Sequence, residues 1–305
     1  MKFHLTFAFA LLLAYSSSWA QVTFPVNGVH DERHTIHAFI NADIYVSANQ
    51  KLDSATLLIQ DGKVIATGRG LKLPKGSVIH DCQGKIIYPS LIDAYCGMNV
   101  DPKAKKRKEA SKTTIAANWN PAIHPEHQFE QAFPMNQKKV DDWLASGIGV
   151  ANLHDRDGIM RGTSQLIFLG QQIPNEAILK TDAANHFSFS KGSSPDDYPS
   201  SMVGAIALFR QTQYDARWYS NTTGPKKEIN PSLVAFNAGK DRLNIFELNS
   251  SLSARNVLEI GREFEVNYLM VGSGKEYMVL DELTEKAKFI LPIHYPKPFD
   301  VSDPY

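Results

Sequence analysis

The sequence predicts an α/β protein, with an all-β unit over residues 36–88 and an incomplete (β/α)8-type barrel over 89–305. Two observations predict it. Short extended runs separated by Asp-Gly and Gln-Gly turns fill the first stretch. From Val140 onward, strand-like and helix-like segments alternate, the rhythm of parallel βα units.

The first residues read as an export leader. Lys2 supplies a positive start, Leu5 to Tyr15 is an apolar run, and Ser18-Trp19-Ala20 fits a small-x-small cleavage site, so residues 1–20 are expected to be a signal peptide. The run is short of the about 20 apolar residues that an ordinary spanning helix needs. A membrane anchor is the alternative, and no other stretch is long enough to span. The expected destination is periplasmic or secreted.

Hydrophobic residues make up 43% of the chain and charged residues 21%, a globular composition. The 32 basic residues balance the 32 acidic ones, so no global field draws the protein to nucleic acid or an anionic surface. Cys82 and Cys96 are too few for a disulfide framework and sit in apolar runs, as small core residues would.

Residues 21–34 are polar and turn-rich, and an extended pattern runs from Ile36 to Val46. Thr56–Gln60 and Lys63–Ala66 flank Asp61-Gly62, a favoured two-residue hairpin turn. Val78–Cys82 and Lys85–Tyr88 flank Gln83-Gly84 in the same way, predicting a second hairpin. Asp101–Thr114 is rich in lysine and reads as a solvated loop or a phosphate contact. Residues 115–135, with four aromatic or proline landmarks at Trp119, Pro121, Pro125 and Pro134, read as an irregular covering loop.

Beyond it, Val140–Ser146 is a helix ended by Gly147, and Ile148–Leu153 and Ser164–Leu169 are strands. Ser200–Tyr219 is an amphipathic helix. Leu243–Leu248, Tyr268–Val271 and Phe289–Ile293 are strands separated by helices over Ser253–Glu265 and Lys275–Ala287. The last strand is about the seventh of the barrel, which is why the barrel reads as incomplete.

Pro89-Ser90-Leu91-Ile92-Asp93-Ala94-Tyr95-Cys96-Gly97 resembles the first barrel strand of the amidohydrolase superfamily, near its imidazolonepropionase-like branch. That family reads Pro-Gly-Leu-Ile-Asp-x-His-x-His here, and its two histidines hold a divalent metal, usually zinc. Tyr95 and Gly97 stand in their places. A phenol is a poor zinc ligand at neutral pH and glycine offers none. At strand five the resemblance sets Glu247 and Asn249 over histidine positions, and at strand six it sets Ser273 over another. Of these, only Glu247 can bind a hard cation.

Asp155-Arg156-Asp157-Gly158-Ile159-Met160-Arg161-Gly162-Thr163-Ser164 and the run from Asp197 to Ala207 are similar to stretches of the exported bacterial branch. In that branch, a barrel without the histidine pair can precede a metal-bearing one in the same chain. The resemblance implies a β-sandwich over 36–88, a metal-dependent-hydrolase, TIM-like barrel over 89–305, and hydrolysis of non-peptide carbon–nitrogen bonds. With the ligands replaced, it implies a degenerate or partial module that takes no cofactor. The alternative is a non-catalytic scaffold or small-ligand-binding barrel beside an active amidohydrolase domain, with a small molecule and a second barrel as the expected partners.

Several residues carry candidate chemistry of their own. His154, at a strand end with Asp155 and Asp157 behind it, could be a general base or ligand at the functional face of a barrel, or a structural histidine. His294, after the last strand, poses the same choice. Arg156 and Arg161, in the glycine-rich stretch, could contact an anion, while its glycines could equally serve a tight connection. His124 and His127 could share a metal but lack a third ligand. No Gly-x-Ser-x-Gly elbow, Walker loop or dinucleotide fingerprint is present.

Overall fold

The structure, a computed structural model, describes residues 34–96, 118–130, 135–170, 174–224, 227–283 and 287–292. The expected leader at 1–20, the lysine-rich run, Gly97 and His294 lie outside them. The chain divides into two units, Met1–Pro89 and Ser90–Tyr305. No described helix is long and apolar enough to cross a membrane.

The first unit is built on one mixed five-stranded sheet. Strands β1 (Ile36–Ser47), β2 (Gln50–Gln60) and β3 (Lys63–Gly68) form an antiparallel meander. Its second turn is Asp61-Gly62, and both residues take positive φ, 49° and 70°, as a tight hairpin of the right twist requires. Strands β4 (Val78–Asp81) and β5 (Ile86–Ile87) run parallel to β1. They do not pair with each other, so the second hairpin expected from the sequence is corrected. Cys82 donates to the Ile40 carbonyl and the Lys85 carbonyl accepts from Asp43, which keeps both segments on the same edge of β1. The turn at Gln83-Gly84 is therefore a jog in one strand path. Ala42, Ile44, Ala55, Leu57 and Cys82 form the apolar core on this sheet. The facing layer of a sandwich is not among the described residues of this unit.

The second unit opens with β6 (Leu91–Cys96), parallel to β7 (Ile148–Leu153). Helix α1 (Gln137–Ala145) leads into β7. Asn136 caps its start by accepting from the Lys139 amide, and Gly147, at φ 83°, turns the chain into the strand. A short strand, β8 (Met160–Thr163), precedes β9 (Gln165–Phe168), which is the strand expected over Ser164–Leu169. Ser164 breaks the run because its hydroxyl and amide turn to the Ala184 carbonyl. β9 then lies antiparallel to β7, with β10 (Ile178–Lys180) after the single-turn helix α2 (Pro174–Ala177) on its other side.

β11 (Ala184–Ser188), β12 (Leu243–Glu247), β13 (Tyr268–Val271) and β14 (Lys288–Ile290) form a parallel arc, with β8 antiparallel on the β11 edge. The described parallel strands of barrel type are thus six, and they do not close into a ring. The helix expected over 275–287 is a shorter 3-10 helix at Glu276–Glu282, kinked at Val279. Glu276 turns its carboxylate back to the amides of Ser273 and Gly274, which fixes a tight start in place of an α-helical one.

Strand alternation gives the arc two different faces. One face carries Phe187, Phe246 and Met270 and receives α3 (Met202–Asn221) and α5 (Ser251–Phe264). α3 begins where the Ser201 hydroxyl accepts from the Gly204 amide and buries Ala205, Leu208, Phe209, Thr212 and Ala216 at helical spacing. α5 buries Ala254, Val257, Ile260 and Phe264 and stops at Glu265 in left-handed geometry. α4 (Pro231–Ala238), with Asn230 as cap and proline in its first turn, packs beside α3. The opposite face of the arc presents Ala184, His186, Ile245, Glu247, Leu269, Val271 and Ile290.

Candidate functional site

That inner face is apolar at its base and polar at its rim, and Tyr95 of β6 packs onto it with Ala184 and Ile245. Three aromatic rings meet above them. His154, just past the end of β7, stacks on His186 of β11 with centroids 3.9 Å apart and planes 11° from parallel. Tyr95 lies 4.4 Å from His154 and 5.9 Å from His186. Both ring nitrogens of His186 lack a hydrogen-bond partner among the described residues, although the residue is only 1% exposed.

Charges close the cluster. Arg161 on β8 is a buried cation. Its Nη1 donates to Glu247 Oε2 at 2.5 Å and to the Tyr95 hydroxyl at 3.2 Å, and its Nε donates to the Gly158 carbonyl at 3.0 Å. Arg156 stands over the Tyr95 ring at 4.7 Å and approaches Glu247 Oε1 at 3.6 Å. The glycine-rich stretch that carries both arginines has no room for side chains at two points. Gly158 and Gly162 take φ of 89° and 83°. A Cβ on Gly158 would lie 2.9 Å from the Ala122 carbonyl oxygen, and one on Gly162 would run into the His127 carbonyl group.

The protonation states follow from burial first. Burial pushes the Tyr95 phenol up to about 12, against the pull of Arg161. Burial, with Arg161 and Arg156 adding, draws His154 down to about 3. Burial first, then the neighbouring His154 ring and the two guanidiniums, which disfavour a second proton there, hold His186 well below the usual histidine range. Burial works to raise Glu247, but Arg161 and Arg156 overcome it and leave its carboxyl below the ordinary range. At neutral pH the cluster therefore holds two guanidiniums, one carboxylate, a neutral phenol and two neutral imidazoles.

These shifts make the fold sensitive to acid. Unfolded histidine takes up a proton near pH ~6.5, whereas folded His154 resists until about 3. The unfolded state therefore binds more protons between those values, and stability present in full above pH ~6.5 falls as the pH drops toward 3. Melting temperature recorded from pH 8 to 4 should decline below 6.5, less steeply for His154→Phe. A flat profile for the native chain would contradict the neutral stack.

The sequence-based candidates separate in space. Tyr95, His154, Arg156, Arg161 and Glu247 come together. Asp155 instead meets His127, Nε2 to Oδ2 at 2.6 Å, and that hydrogen bond foremost lowers its carboxyl. Asp157 accepts from the amide and hydroxyl of Ser193. Ser273 donates through its amide and hydroxyl to Glu276 Oε1. Asn249 accepts from Ser188. His186 was the residue that sequence reasoning missed. Its signal was the alternation Asn185-His186-Phe187-Ser188-Phe189, in which aromatic residues recur every second position.

A divalent metal, which the family resemblance implies, does not suit these residues. Among the described residues, no group of three or more His, Cys, Asp or Glu side chains is arranged to hold one. Glu247 is already engaged by two guanidiniums, and Tyr95 keeps its proton. A dication here would face two fixed positive charges at close range.

No family model matches the chain, and no curated protein sequence matches it either. Solved structures do. An amidohydrolase from Thermotoga maritima superposes with a TM-score of 0.65 at 18% identity, over 84% of this chain and 70% of its own. An uncharacterised protein superposes with a TM-score of 0.43 at 14% identity, over 85% of this chain and 66% of its own. A further amidohydrolase gives 0.38 at 13%, over 84% of this chain and 65% of its own. Mixed α/β sheets in the order described, matched at the first of these scores, give this chain the fold of the Thermotoga maritima amidohydrolase.

Proposed function

We propose that this chain is an amidohydrolase-superfamily barrel whose metal centre has been replaced by a buried arginine–glutamate pair. In this reading it serves as a non-catalytic module beside an active amidohydrolase domain, in the same chain or a neighbouring one. The observation that carries the proposal is Arg161, 3% exposed and bonded to both Tyr95 and Glu247 on the inner face. Metal-dependent hydrolysis of a carbon–nitrogen bond needs a cation that lowers the pKa of bound water and a base near neutral pH. Here the cation is a guanidinium, which has no open coordination position. His154 and His186 are too weakly basic to take a proton from water at pH 7.

Elemental analysis of the purified, dialysed chain is the test. Well under one zinc per chain is the expected result. One tightly held zinc or other transition metal per chain would overturn the proposal and direct attention to His154, His186 and Glu247.

A further inference from the structure

We infer that the rim of the inner face binds a small organic monocarboxylate, received by Arg156. The inference rests on the metal-free reading above and adds a ligand class to the same site. Two guanidiniums face one carboxylate, so the cluster carries one positive charge in excess. Arg161 cannot offer that charge outward, because it is buried and its donors engage Gly158, Tyr95 and Glu247. Arg156 can. Its side chain is 48% exposed, and its 3.6 Å approach to Glu247 is longer than a good hydrogen bond.

Stacking on the Tyr95 ring holds the Arg156 guanidinium ahead of binding, which lowers the entropy lost when a ligand arrives. A planar carboxylate matches a guanidinium edge with two parallel hydrogen bonds. A phosphate dianion would exceed the single available charge and sit beside the Glu247 carboxylate. Lactate is a small monocarboxylate of that class, with one planar carboxylate to meet the Arg156 fork.

Calorimetric titration of the full chain with lactate, its neutral isostere lactamide and inorganic phosphate decides the matter. Lactate should bind at one site per chain, at least about tenfold tighter than lactamide or phosphate. Arg156→Gln should lose at least about tenfold in lactate affinity, and Arg156→Lys should lose less because charge remains without the fork. Circular dichroism of both variants should match the parent. Equal binding of lactate and lactamide, tighter binding of phosphate, an unaffected Arg156→Gln or no binding at all would each overturn the carboxylate site. Zinc measured in the same sample keeps the two readings apart. Stoichiometric zinc with Arg156-dependent lactate binding sinks only the metal-free reading, and zinc-free protein that ignores lactate sinks only this one.

Discussion

Arg161→Met should destabilise the Ser90–Tyr305 unit by about 3–5 kcal/mol, read as a lowered urea midpoint with an unchanged slope. Methionine keeps much of the volume and removes the charge. Glu247, with only a quarter of its side chain exposed, would then retain Arg156 at 3.6 Å as its one ion-pair partner of the two, and the Gly158 carbonyl and Tyr95 hydroxyl would each lose a donor. Breaking one side of a buried pair is costly because the other charge stays behind, whereas replacing both sides with apolar groups is often nearly neutral. The double variant Arg161→Met with Glu247→Leu should therefore recover most of the loss. If the single variant costs less than about 0.5 kcal/mol, the buried pair is not what organises the inner face.

Phe246→Ala should cost about 4 kcal/mol on the opposite face of the same strand. Phe246 is fully buried and meets Phe189 at 4.7 Å, Phe209 at 5.7 Å and Tyr268 at 5.7 Å. Removing the ring leaves a cavity walled by β11, β13 and α3, which cannot all collapse into it. Combining it with Phe209→Ala should give less than the sum of the two single effects, since they share one contact. Equal additivity in urea denaturation would mean that the strand and helix relax independently.

Much of this was legible in the residues, and the failures have physical causes. Asp61-Gly62 announces its hairpin because few dipeptides tolerate positive φ twice in succession. α3, α5, β12 and β13 follow from apolar spacing, since each buries a face against the same aromatic layer. β11 was hidden because its inner face is polar, so His186 and Ser188 interrupt what a buried parallel strand usually shows as a continuous apolar run. The Gln83-Gly84 turn looked like a hairpin because local turn chemistry is silent about which edge the flanking strands will join. At the site, five singled-out residues converge while Asp155 and Ser273 serve neighbouring loops. Spacing along a strand fixes the face of a side chain, but partners from distant loops decide its chemistry.

Gly158 and Gly162 bracket Arg161 at positions where the surrounding backbone admits only hydrogen. The arginine is thereby aimed by main-chain shape as well as by its own hydrogen bonds, like a lever clamped at both ends. Inheritance at this site consequently has silent guardians: a change to alanine at either glycine would redirect a charge that neither residue bears.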